Sequence, residues 1–251
     1  MLPRHSSLGH TDHRPWPVPA GPWIMAMTWR NLLFMHWPIA PDVMRRLVPP
    51  PFEVDKFNES AWLGSVPLMM NAVLGRCSPA IPGVSRFPEL NVRTYVRVKD
   101  RPGVYFFSLD AHQPLAVAMA RRFFHLPYCR AAMCCEPASR GEVYYRSART
   151  HPGSGDARFE ARYQPVGTAR TAVNGALDHF LTERYRLYTT NCQGELRYGE
   201  IHHSPWRLRG ADVEIRCNTM TAPLGLKLPN TKPLLYYTEP LDVIAWPLRP
   251  E

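Results

Sequence analysis

Lysine is scarce in this chain of 251 residues: Lys56, Lys99, Lys227 and Lys232 stand against 26 arginines. Any imine chemistry therefore has four candidate amines at most. Glycine is outnumbered by proline, 15 to 27, which predicts short elements joined by stiff loops and argues against an all-helical fold. Long hydrophobic runs are missing too. The most apolar stretch, Trp23 to Ala40, is broken by Arg30-Asn31 and Pro38, so it cannot make a membrane-spanning helix. Residues 1–22 lack the apolar core of a signal peptide and read as an extended Pro-rich tail. No GxSxG, glycine-rich phosphate loop or dinucleotide fingerprint occurs, which removes the common hydrolase, kinase and dehydrogenase readings. The six cysteines, Cys77, Cys129, Cys134, Cys135, Cys192 and Cys217, form no CxxC pair. Free thiols in a reducing cytoplasm are expected, with no metal and no cofactor.

What is present is an ordinary globular composition, 45 % apolar and 11 % aromatic. It is long enough for one sizeable domain over residues 23–251. The net charge of +9 comes from scattered arginines rather than a basic stripe with interleaved aromatics, which argues against nucleic acid as a partner.

The segment WRNLLFMHWPI (Trp29 to Ile39) reads as one buried strand. PDVMRRLVP follows as a short helix with proline at its start and arginines near its end. FEVDKFNESAWLGSVPLMMNAVL gives two strands around an Asn-Glu-Ser turn, and CSPAIPGVSRFP a Pro-rich loop. ELNVRTYVRVK (Glu89 to Lys99) alternates clearly: Leu90, Val92, Thr94, Val96 and Val98 share one face, and Glu89, Asn91, Arg93, Tyr95, Arg97 and Lys99 the other. Asp100-Arg101-Pro102-Gly103 reads as a turn, VYFFSLDAH as a strand, PLAVAMARRFFHL as an apolar helix and YCRAAMCCE as a strand. From Gly141 the pattern is a meander of short strands with one helix near Asn174 to Glu183. The sum is a β-rich α+β domain, a closed or nearly closed antiparallel β-barrel with a few short helices.

The polar face of Glu89 to Lys99 has two readings, solvent or lumen, and alternation cannot choose between them. His202-His203 offers at most one side chain to any one site, because neighbours on a strand diverge; a core histidine is the simpler reading of either. Glu183 and Arg184 are adjacent on a helix and so do not face each other. Each is expected to find its own partner.

Together HWPIAPDVMRRLVPPPFEVD, FPELNVRTYV, GVYFFSLDA, LTERYRLY and GEIHHSPW resemble the DUF2071 (YqjF-like) family from about residue 23 to 248. That family in turn is similar to the acetoacetate decarboxylase fold, a β-barrel with a central pocket. In the decarboxylase a helix runs into a Tyr-Pro-Lys-Lys motif whose first lysine forms an imine with the substrate ketone. Here PLAVAMARRFFHLPYC places Tyr128 at that lysine's position and Cys129 at the next. Tyrosine cannot form an imine. The enzyme's pocket arginine aligns with Arg30 and its glutamate with Glu89, while a second pocket glutamate gives way to the apolar SVPLMM.

The resemblance therefore implies a lumen-facing polar strand and a pocket in which Arg30, Glu89 and Tyr128 converge. Glu89 and Tyr128 are the expected catalytic pair. Arg30, Arg93, Tyr95, His125, Cys129 and His202 are the expected substrate contacts. The partner implied is a small organic acid or carbonyl compound, with no membrane, and with oligomeric state left open. The chemistry implied is of lyase, isomerase or hydratase type without a Schiff base; the alternative is a non-catalytic binding or sensing protein.

Overall fold

Residues with left-handed backbone decide where the first strands break. In the computed structural model, which describes residues 5–76, 78, 84–138 and 141–251, Asn31 takes φ +50°. The stretch expected as one strand is therefore two, β1 (Met25–Arg30) and β2 (Leu33–Ile39). Helix α1 (Pro41–Leu47) follows, with proline in its first turn and Arg45 and Arg46 in its last, as the sequence predicts. The short β3 (Glu53–Val54) and the long β4 (Ala61–Gly75) flank a turn at Asn58 and Glu59, with φ +47° and +60°. Cys77 and most of the Pro-rich loop after it lie outside the described residues.

The alternating segment forms β5 (Phe87–Val98), which pairs with β6 (Arg101–Ala111). The turn between them is tighter than expected. Lys99, with φ +51°, and Asp100 make it, and Gly103 lies within β6, where a Cβ would come within 2.7 Å of the Tyr188 ring. Helix α2 (Pro114–Phe123) leads into β7 (Tyr128–Pro137), β8 (Val143–Arg149) and β9 (Arg158–Arg170). Helix α3 (Leu177–Thr182) precedes β10 (Arg186–Thr190), β11 (Leu196–His203), β12 (Leu208–Asn218), β13 (Leu234–Thr238), β14 (Leu241–Ala245) and β15 (Arg249–Pro250).

All the strands join in one sheet whose hydrogen bonding closes on itself twice. One circuit runs β6–β7–β8–β9–β12–β13–β2–β4–β5 and back to β6. The other runs β1–β14–β11–β10–β6–β5–β4 and back to β1. Pairing is antiparallel except for β10 with β6 and β6 with β7. Strands β4, β5 and β6 thus form a wall shared by both circuits.

That wall explains the burial of β5. Its even-numbered face, Leu90, Val92, Val96 and Val98, packs into the core of the larger circuit with Leu63, Tyr145, Phe159 and Tyr163. Its odd-numbered face looks into the smaller circuit, where Met27, Phe34, Val66, Leu68, Met70, Ala111, Trp206 and Val243 gather, closed by Val117 of α2. Glu89, Asn91 and Tyr95 are all buried in consequence. Solvent reaches this strand only at Arg93 and Arg97, which are partly buried.

Residues 5–22 lie against β11. Arg14, buried, donates to Glu200 Oε2 at 3.0 Å, and Trp16 Nε1 donates to the same oxygen at 3.0 Å. Among the described residues, no helix is long and apolar enough to cross a membrane.

Candidate functional site

The smaller circuit brings together the two residues expected to carry chemistry. Glu89 projects from β5 opposite Ala111 of β6, and Tyr128 opens β7 opposite Leu109. The Tyr128 hydroxyl donates to Glu89 Oε2 at 2.7 Å. From the far side of the wall, Tyr145 Oη donates to the backbone carbonyl of Glu89 at 2.6 Å and so fixes the strand beneath the carboxyl. Glu89 is 5 % exposed. Burial pushes its carboxyl up from the ordinary 4.5 to about 7, against the lowering effect of hydrogen bonds from Tyr128 and Asn91. Burial and the neighbouring carboxylate hold the Tyr128 phenol well above its ordinary value. A carboxyl that titrates near neutrality can both give and take a proton at working pH. The phenol beside it is a fixed hydrogen-bond donor. Tyr128 itself is half-buried and follows the α2–β7 junction, residues Phe124 to Pro127.

Arg30 does not join them. On β1 the odd residues Met25, Met27 and Trp29 turn toward the smaller circuit's core, which leaves Arg30 exposed on the opposite side of the strand. Cys129 is separated by the same parity: next to Tyr128 on β7, it pairs with Asp110 rather than Leu109. It is buried beside the Asp110–Arg149 ion pair, a 2.7 Å contact between side chains with 0 % and 3 % exposure. Burial pushes the Cys129 thiol up, which disfavours the nucleophilic thiolate. His125, with φ +49°, contributes its carbonyl to Thr189 Oγ1 at 2.6 Å. His202 is sealed beneath the N-terminal segment, its Nε2 2.8 Å from the carbonyl oxygen of Ser7.

Arg93 and Tyr95 sit farther along the same face of β5. Tyr95 Oη donates to the Leu181 carbonyl at 2.7 Å and lies 2.7 Å from His36 Nε2. With its one proton given to Leu181, the hydroxyl can only accept from His36, so His36 carries its proton on Nε2. His36 Nδ1 is then an acceptor with no partner. Burial and the nearby Arg93 hold His36 neutral, well below its ordinary value. The Arg93 guanidinium lies over the Phe34 ring at 5.1 Å and reaches the Leu181 carbonyl at 3.4 Å. Glu183 and Arg184 do take separate partners: Glu183 accepts from the Trp206 backbone N–H at 3.1 Å, and Arg184 donates to Asp55 at 2.7 Å.

Sequence reasoning passed over Trp29, His36, His203, Trp206 and the Asp110–Arg149 pair. Only His203 left a signal, in the doublet whose members must face opposite ways. All four lysines, Lys56, Lys99, Lys227 and Lys232, are exposed, so none lies within either circuit.

The strand-rich closed sheet belongs to the acetoacetate decarboxylase-like class. The acetoacetate decarboxylase from Legionella pneumophila subsp. pneumophila str. Philadelphia 1 superposes with a TM-score of 0.61 at 14 % identity, over 96 % of this chain and 93 % of that one. The enduracididine biosynthesis enzyme MppR complexed with pyruvate gives 0.61 at 14 % identity, over 95 % and 93 %. Residues 26–242 match the model of the DUF2071 family of uncharacterized conserved proteins, and the chain belongs to that family. It is 48 % identical over 232 residues to the uncharacterized protein YqjF of Bacillus subtilis (strain 168), covering 92 % of this chain and 94 % of that protein.

Proposed function

We propose that the protein binds a small organic acid or carbonyl compound in the smaller circuit and converts it by proton transfer, with Glu89 as acid and base and Tyr128 as the hydrogen-bond donor that orients it. The observation that carries this reading is the buried 2.7 Å contact between the Tyr128 hydroxyl and a Glu89 carboxyl held to about 7. Imine formation plays no part in this reading: the motif resemblance puts Tyr128 where the decarboxylase has its reactive lysine, and all four lysines are exposed. The pyruvate bound by MppR supports a short keto acid or its relatives as the substrate class. Lyase, isomerase and hydratase reactions all need only this acid–base pair. A cytoplasmic setting is supported by the five free thiols among the described residues.

The test is a screen of short keto and hydroxy acids for turnover and for thermal stabilisation of the folded protein. Glu89→Gln is expected to abolish turnover of any substrate found, and Tyr128→Phe to lower it by about 10²-fold or more. Turnover that survives Glu89→Gln would overturn the assignment. A non-catalytic binding role is the second reading, favoured by the replacement of the lysine. It predicts stabilisation by a ligand with no chemical change in it.

A further inference from the structure

A second feature of the smaller circuit is independent of the Glu89–Tyr128 pair. Between β1, β5, β6, β10 and β11 lies a cavity of about 50 Å³ whose lining includes Trp29, Arg93, Phe106, His203 and Trp206. A single buried water needs roughly 10–15 Å³ by this measure, so the space holds a molecule of a few heavy atoms. Neither Glu89 nor Tyr128 lines it. Arg93 is four residues from Glu89 along β5, roughly 13 Å at the usual strand rise, and its guanidinium is engaged with the Leu181 carbonyl and the Phe34 ring.

Three of the residues that line this cavity have unspent hydrogen-bonding capacity. Arg93 Nε, Trp29 Nε1 and His203 Nε2 are all buried without a partner, whereas buried polar atoms are normally satisfied. Their roles can be assigned. Arg93 Nε and Trp29 Nε1 can only donate. His203 Nδ1 lies 2.8 Å from the Ser204 carbonyl and must carry the proton there, which leaves Nε2 as an acceptor. Burial keeps the ring neutral, holding its value down at about 3. The Trp29 and His203 rings are 6.4 Å apart, and each packs on Trp206, at 5.7 and 4.9 Å.

Charge adds a sign. Of the three guanidinium groups at the cavity, Arg184 is paired with Asp55 at 2.7 Å and Arg186 with Glu200 at 2.9 Å. Arg93 forms no ion pair among the described residues. Glu183, between the lining residues Thr182 and Arg184, is already held by Trp206 N–H and the Tyr185 hydroxyl. The residues lining the cavity therefore carry one uncompensated cation, two unpartnered donors and one unpartnered acceptor.

We propose that this cavity is a binding site for a short 2-hydroxy carboxylate, with the carboxylate accepting from Arg93 Nε and Trp29 Nε1 and the hydroxyl donating to His203 Nε2. A carboxylate alone would leave the histidine acceptor empty. A neutral alcohol would leave Arg93 uncompensated. A molecule with both groups on neighbouring carbons satisfies every orphaned atom.

Calorimetric titration of the full chain with glycolate, acetate and 1,2-ethanediol tests the proposal. Glycolate is expected to bind, acetate about tenfold or more weakly, and the diol not measurably, since a buried acceptor left unmade costs about 1–3 kcal/mol, with each 1.4 kcal/mol a factor of ten. Trp29→Phe keeps the stacked ring but removes the donor and should weaken glycolate about tenfold; Arg93→Met should weaken it about 100-fold. Equal affinity for glycolate and acetate, or no binding of glycolate, would overturn the proposal. Should Arg93→Met fail to fold, an undiminished affinity in Trp29→Phe overturns it equally.

Discussion

The Tyr128 hydroxyl and the Glu89 carboxyl meet at 2.7 Å across residues 39 apart in sequence, and neither could hold its position without β6 between them. Glu89 comes from the strand antiparallel to β6 and Tyr128 from the strand parallel to it. The contact is therefore a product of the closed sheet rather than of any local motif.

Glu89 makes stability fall as pH rises. Its folded value, about 7, lies above the ordinary 4.5, so between these limits the folded chain holds more protons than the unfolded one. The stabilisation that protonation gives is complete below about 4.5 and is lost as pH rises through 7. The full difference is about 3 kcal/mol. Glu89→Gln, which keeps the shape and removes the charge, should flatten this slope and raise stability at pH 8 by a comparable amount. Urea unfolding at pH 5 and pH 8 measures it; equal slopes in the parent and the variant refute it.

Tyr128→Phe acts on the same titration in the opposite sense. The phenol's hydrogen bond favours the ionised carboxylate, and burial alone would hold Glu89 higher. Removing the hydroxyl should move the Glu89 midpoint above 7. Carbon-13 NMR of the labelled carboxyl reads the midpoint directly, and a shift downward contradicts the assignment.

Arg149 neutralises Asp110 through both carboxylate oxygens and also donates to Ser108 Oγ at 2.8 Å. Arg149→Met leaves a fully buried carboxylate without its counter-charge and should cost about 3–5 kcal/mol. The double variant with Asp110→Asn should recover a large part of that loss. Denaturant unfolding of the single and double variants checks it.

Gly103→Ala should destabilise by about 1–3 kcal/mol, because the added methyl meets both the Tyr188 ring and a backbone carbonyl at its tightest approaches; those approaches are 2.7 and 2.9 Å. Thermal unfolding of the variant is the readout. An unchanged Tm would mean that β6 and β10 yield easily at this point.

Borohydride added with pyruvate should give no reduced adduct within the protein's interior, since Lys56, Lys99, Lys227 and Lys232 are all exposed. Mass spectrometry of the treated chain checks this, and a stoichiometric adduct on any lysine would restore imine chemistry.

Much of the architecture was legible in the residues. Helices α1 and α2 carry proline at their first turn and arginines in their last, and the strands from Val143 onward follow the meander read from alternation. The break at Asn31 was not legible, because a left-handed asparagine inside an apolar run leaves no mark on periodicity. Of the site, Glu89 and Tyr128 came from resemblance to a motif. Arg30 came the same way, but an alignment fixes position along a strand without fixing which side of it a residue faces. Arg93, Trp29 and His203 converge only because β1, β5 and β11 belong to one circuit, and that pairing is a long-range fact no short window contains.

The doubly enclosed wall also bears on how the molecule breathes. Strand β5 is hydrogen-bonded along both edges and covered on both sides, so no partial opening exposes it. Its amide protons can exchange with deuterium only when the whole sheet comes apart, which makes Leu90 to Val96 the last clock in the chain to run down.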